Sequence, residues 1–233
     1  MWSGIQPENK CFNAMDDSKD FNQRDQKSDA TVRFGNILIP DISGFTNFVS
    51  RIDIVSGQAI TQRLLKSLLE NDIVDLELSE IEGDALLLYK YGQKLKPNAI
   101  LRQYEAMLVN FHREQALVNK EFGLGLELSL KLIAHYGEFG QYELGGFKKL
   151  YGAPVIETHR LLKNAVKSSR YVLITDDLLV GMPTAAAINN PEFLRGNKMC
   201  QAHGDIRNIA YTVFDYEAEC SPREILEKGG HIK

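Results

Sequence analysis

A β-hairpin set between two helical stretches constrains this chain more than any other feature. Residues Glu77–Glu82 (ELSEIE) alternate polar and apolar positions, the period of a half-buried strand. Gly83-Asp84 is a two-residue turn signal, and Ala85–Tyr91 (ALLLYKY) reads as the returning strand. On one side, Gln58–Leu76 carries Ile60, Leu64, Leu65, Leu68, Leu69 and Ile73 at helical spacing. On the other, Asn98 to Phe122 carries Ile100, Leu101, Tyr104, Met107, Leu108 and Phe111 as one stripe, and Gly123 ends it. A hairpin between helices excludes a simple alternating parallel sheet. It fits an α+β fold of the ferredoxin-like, split β-α-β kind: a mostly antiparallel sheet with helices on one face.

The first strand of that arrangement is Phe34–Thr46 (FGNILIPDISGFT). Ile37, Leu38 and Ile39 form a short buried run, Asp41 ends it, and Ser43-Gly44 turns the chain into a helix start at Phe45. A strand that delivers a carboxylate at its tip can bind a hard cation such as Mg²⁺. The turn and helix start can receive phosphate oxygens on backbone N–H groups. The plainer role for Asp41 is as a cap of the next helix. For Asp84 it is as the polar half of a Gly-Asp turn. In the split β-α-β arrangement the first strand and the hairpin are neighbours, so Asp41 and Asp84 approach each other. Two carboxylates held together on strands repel unless a cation lies between them.

Further along, Leu126–Tyr142 reads as a long strand with Leu128, Leu130 and Leu132 alternating, and Gly145-Gly146 as a turn. Leu150–Pro154 is a short extended piece and Val155–Ala165 a helix. Tyr171–Thr175 is a strand, Asp177–Ala187 weakly helical, and Ile206–Tyr216 the last strand. This gives a flexible polar tail over residues 1–32, one domain over 33–220 and a C-terminal extension over 221–233 with a short helix. The net charge of −4 gives no reason to expect nucleic acid. Cys11, Cys200 and Cys220 lack metal-type spacing and suit a reducing compartment. With no bilayer-length apolar run and no leader pattern, the expectation is a cytoplasmic protein with no membrane contact.

The motifs add a resemblance. IPDISGFT around Asp41 resembles the first metal-binding motif of class III adenylyl and guanylyl cyclases, and EIEGDA around Asp84 the second. HYGE at His135–Glu138 and LYGAPVIETHR at Leu150–Arg160 resemble their long-strand and dimer-arm motifs. IPDISGFT, EIEGDALLLYK and HRLLKNA together resemble a bacterial family of cyclase-homology domains with no assigned function. The resemblance covers Phe34 to about Leu179.

What the resemblance implies is specific. Asp41 and Asp84, with the carbonyl of Ile42, are the implied ligands of two Mg²⁺ or Mn²⁺ ions. Phe45 and Thr46 are the implied phosphate cradle. Arg160 is the implied transition-state arginine, contributed across a head-to-tail homodimer. Glu80 is the implied purine-reading residue, with a lean toward guanine, and Lys149 is its implied partner where known cyclases carry Asp or Cys. The implied activity is a metal-dependent nucleotidyl cyclase that forms a 3′,5′-cyclic nucleotide from a nucleoside triphosphate. Ile156 departs from the pattern, standing where the resemblance expects a transition-state Asn. The alternative is a catalytically degenerate cyclase-homology domain that binds nucleotide or a protein partner. Glu80 and Lys149 could equally be a structural ion pair, Arg160 a helix-surface arginine, and His135 and His159 packing or surface residues.

Overall fold

A computed structural model of the chain describes residues 32–181, 197–201 and 207–217. The expected tail, the C-terminal extension and most of the weak helix after Asp177 lie outside the described residues. Among the described residues, eight strands and five helices follow in the order β1 (Arg33–Ser43), α1 (Phe45–Val49), α2 (Ile54–Ser67), β2 (Glu77–Glu82), β3 (Ala85–Tyr91), α3 (Pro97–Phe122), β4 (Ser129–Leu144), β5 (Phe147–Tyr151), α4 (Ala153–Leu161), β6 (Tyr171–Thr175), α5 (Asp176–Leu179), β7 (Asn197–Gln201) and β8 (Ile209–Asp215). The sheet runs β2-β3-β1-β4-β6-β8-β7, and β5 pairs with the outer part of β4. Only β4–β6 is parallel among these pairs.

The period-2 pattern of the strands divides the core in two. Leu38, Ile42, Leu86, Leu88, Leu130, Leu132, Val172 and Ile174 face α2 and α3, where the full inner stripe of α3 is buried. Ile37, Ile39, Leu87, Ile133 and Leu173 face the other way, against Val155 and Leu161 of α4. The two long helices share one face, and α4 covers part of the opposite one. Gly137 makes that approach possible, since a Cβ there would collide with the ring of Pro154 in the first turn of α4.

Element edges differ from the sequence reading for local reasons. Helix α2 starts earlier because Asp53 accepts the Ser56 N–H at 3.0 Å; Ile54 and Val55 point to solvent and add nothing to the apolar stripe. It ends earlier because Asp72 accepts the backbone N–H groups of Val74, Asp75 and Leu76, building a turn where a helix was expected. Strand β2 has the expected bounds but is not half-buried: Leu78 and Ile81 are exposed, because β2 is an edge strand with a bulge between Leu78 and Glu80. Strand β1 runs on through Asp41 to Ser43, so Asp41 stands inside the sheet.

Candidate functional site

Asp41 pairs with Ala85 of β3 on one side and with Lys131 of β4 on the other. One residue further on, Ile42 donates its backbone N–H to the carbonyl of Asp84 at 3.2 Å. The hairpin turn, with Gly83 at φ 63°, is thereby fastened to the end of β1. The two carboxylates are close enough for the charge of Asp84 to act on Asp41. In an extended strand the N–H and C=O of one residue leave on the same side. The Ile42 carbonyl therefore faces the hairpin turn, beyond the last β1–β3 pair.

The electrostatics of this pair are unusual for carboxylates near a lysine. Burial pushes the Asp41 carboxyl up, Lys131 pulls it down, and the charge of Asp84 pushes it up again, with a net rise. Burial also raises Asp84, against its backbone hydrogen bond and the more distant Lys131. Lys131 Nζ stands 3.5 Å from Asp41 Oδ2. One ammonium against two carboxylates leaves a net negative charge in a partly dry place, which favours a further cation. No group of three or more His, Cys, Asp or Glu side chains converges among the described residues. The candidate donors are two carboxylates and a backbone carbonyl, to which a ligand or water would have to add oxygens. That is the sparse, oxygen-only set that suits Mg²⁺ or Mn²⁺ held together with phosphates.

Past Ser43, Gly44 adopts φ 89°, a left-handed conformation that turns the chain into α1. Phe45 packs its ring on Phe48 (centroids 5.7 Å apart) and leans on the helical core. Thr46 is exposed.

The other implied residues lie on β2, β5 and α4. Glu80 and Lys149 are hydrogen-bonded to each other, joining β2 to β5. That hydrogen bond, with the nearby Glu80 and Glu82 charges, raises the Lys149 pKa despite some desolvation. Arg160 lies in the last turn of α4, and Ile156 is half-exposed on the same helix. His159 contacts Glu82 at 3.2 Å, which brings the end of α4 beside the hairpin.

Two sets of residues escaped the sequence reading. Lys131 is one; its position opposite Asp41 depends on the β1–β4 register, which no local pattern encodes. The second is a polar chain beneath α4, buried at His135, Glu157 and Thr175 and open to solvent at Arg207. His135, fully buried, bonds Thr175 Oγ1 at 2.8 Å and Glu157 Oε2 at 2.9 Å. Glu157 also receives two hydrogen bonds from Arg207, both 2.8 Å, and Arg207 reaches Asp177 at 2.8 Å. Hydrogen bonding from His135, and then Arg207, holds the Glu157 carboxyl at about 2 against the cost of burial. Of the two roles expected for His135, packing or surface, the structure shows the buried one, with a polar partner on either side.

This fold is that of class III nucleotidyl cyclase domains. The guanylyl cyclase Cya2 superposes with a TM-score of 0.60 at 15% identity, over 82% of this chain and 98% of that one. The adenylyl cyclase CyaB of Pseudomonas aeruginosa gives 0.58 at 15% identity, over 82% and 99%. In sequence, residues 61–171 match the family described as Protein of unknown function (DUF2652). An uncharacterized protein of Mycobacterium tuberculosis is 27% identical over 107 residues, 43% of this chain. The match spans half the length of that relative.

Proposed function

We propose that this domain binds a nucleoside triphosphate together with divalent cations and closes it to a 3′,5′-cyclic nucleotide, releasing pyrophosphate. The juxtaposition of Asp41 and Asp84 at the fastened end of β1 supports this reading above all else. Bound cations would draw charge from the α-phosphate and lower the pKa of the 3′-hydroxyl. Asp41, Asp84 and the Ile42 carbonyl would hold them. The backbone at Phe45 and Thr46 would receive phosphate oxygens, and Arg160 of a second copy would face charge that builds during displacement.

Guanine is the proposed base. Ionised Glu80 only accepts hydrogen bonds, and the Lys149 ammonium only donates them. Guanine offers two donors beside one acceptor on its Watson–Crick edge, so Glu80 could take N1–H and N2–H₂ while Lys149 reaches O6. The proposed assembly is a head-to-tail homodimer. The β4–β5 arm supports it, leaving Leu144, Phe147 and Tyr151 more than 70% exposed, an apolar surface suited to a second copy of the chain.

Ile156 favours a second reading, a domain that keeps binding and loses turnover. Removing one positioned transition-state donor costs about 10²–10³ in rate. Calorimetry with GTP and Mn²⁺, run beside mass spectrometry of the products, separates the two. Cyclic GMP supports the cyclase; binding without product supports the binding domain; neither binding nor product contradicts both.

A further inference from the structure

We propose that Lys131 is a resident counter-ion for Asp41 and Asp84, and that it makes divalent-cation binding there conditional on a polyphosphate ligand. The proposal rests on the reading of Asp41 and Asp84 as cation ligands. Lys131 stands directly opposite Asp41 in the β1–β4 register, so both side chains leave the same face of the sheet. Their side chains are 20% and 14% exposed, so water screens the pair weakly. The 3.5 Å separation is longer than a charge-assisted hydrogen bond of about 2.7–2.9 Å. The ammonium is therefore held more by charge than by its long hydrogen bond, and little directed bonding opposes its leaving.

A divalent cation entering between the carboxylates meets that ammonium at the same oxygens. Like charges at such a distance oppose each other, so the two compete for Asp41. The carboxylates within reach of the Lys131 charge are Asp41, its one ion pair among the described residues, and Asp84, the same two groups the cation would need. Across the other edge of Lys131 stands Tyr171, whose hydroxyl already accepts a hydrogen bond from Asn164 at 2.6 Å. An incoming anion is what can draw it away. The lysine stem is flexible and carries three donors, so its head can turn to phosphate oxygens while its Cα stays in the strand. Cation and polyphosphate then bind with positive coupling, and each helps the other by the same factor.

Mn²⁺ binding to the full chain, followed by electron paramagnetic resonance, tests this in the parent, Lys131→Met and Lys131→Met/Asp41→Asn. Without phosphate, Lys131→Met should bind Mn²⁺ at least tenfold more tightly than the parent, the low end of what one nearby charge does to a carboxylate's proton affinity. Inorganic tripolyphosphate, added at constant free Mn²⁺, should close most of that gap by raising the parent's affinity. The double variant should lose the tight site. Lys131→Gln gives the same comparison if the Met variant misfolds by circular dichroism. Equal, Asp41-dependent Mn²⁺ affinity in the parent and Lys131→Met would overturn the counter-ion role while leaving the cation site standing. Absence of Asp41-dependent binding in every variant, with and without tripolyphosphate, would remove the cation site itself.

Discussion

The backbone N–H of Ile42 reaches the carbonyl of Asp84 at 3.2 Å, one residue beyond the last β1–β3 pair. This single bond fixes the hairpin turn to the end of the first strand. The spacing of Asp41 and Asp84 is therefore set by main chain, and replacing either side chain should leave the other in position.

That arrangement has a consequence for stability. Asp84 has its carboxyl raised, chiefly by burial. A carboxyl raised in the folded state destabilises it when ionised. The penalty is full at neutral pH and fades as pH falls through the folded value toward the unfolded one. Asp84→Asn should raise the melting temperature at pH 7 in cation-free buffer, with the gain shrinking near pH ~4. Scanning calorimetry at the two pH values checks it; an unchanged or lower Tm at pH 7 contradicts it.

Glu157 has the opposite sign. His135 and Arg207 hold its carboxyl at about 2, so its contribution is present above the ordinary carboxylate value and is lost as pH falls from there toward 2. Glu157→Gln leaves a half-exposed Arg207, still paired with Asp177, facing an uncharged amide and should cost about 1–3 kcal/mol, the range for charged hydrogen bonds lost at a buried group. Urea unfolding at pH 7 measures that loss. Repeated between about pH 5 and 2, the variant should lose less stability than the parent. A parallel pH profile would mean that Glu157 is not the group responsible.

Ile156 is half-exposed on α4, so Ile156→Asn should change stability by no more than about 0.5 kcal/mol. If the domain is a slow cyclase, the new amide should raise the rate of cyclic nucleotide formation by about 10²–10³. Initial rates at saturating nucleotide and Mn²⁺ decide this. A variant that folds and binds as the parent does, yet gains nothing, would show that Ile156 is not where the missing donor belongs.

How much of this was legible in the sequence follows from where the information sits. The hairpin bounds, the strand Tyr171–Thr175 and the inner stripe of α3 could be read because period and turn chemistry are local. Asp41 and Asp84 could be brought together on paper because the strand order alone makes β1 and the hairpin neighbours. Lys131 could not, since its role depends on a register between residues ninety positions apart in the chain. The chain His135–Glu157–Arg207 joins β4, α4 and the segment before β8, all distant in sequence, and a buried charge has no periodic signature. Strand β7 (NKMCQ) lacks apolar alternation because, among the described strands, it has one neighbour, β8.

The Glu80–Lys149 pair yields a specificity test. Exchanging it for Glu80→Lys with Lys149→Asp puts a donor where the acceptor stood and an acceptor where the donor stood. If this pair reads the base, the parent should prefer GTP and the double variant should move toward ATP. Competition against a fluorescent triphosphate measures both. Equal affinity for GTP, ATP, CTP and UTP in both proteins would leave the pair as a structural ion pair.

Cation-dependent triphosphate binding at Asp41 and Asp84 is the property from which the proposed activity follows. Isothermal titration of GTP into the full chain, with Mn²⁺ and then with EDTA, measures it. The same titration is run on Asp41→Asn/Asp84→Asn. The parent should bind GTP at least tenfold more tightly with Mn²⁺, and the double variant should lose that dependence, in line with removing the oxygen ligands a hard cation needs. Equal GTP affinity in parent and double variant, with or without Mn²⁺, would contradict the central claim.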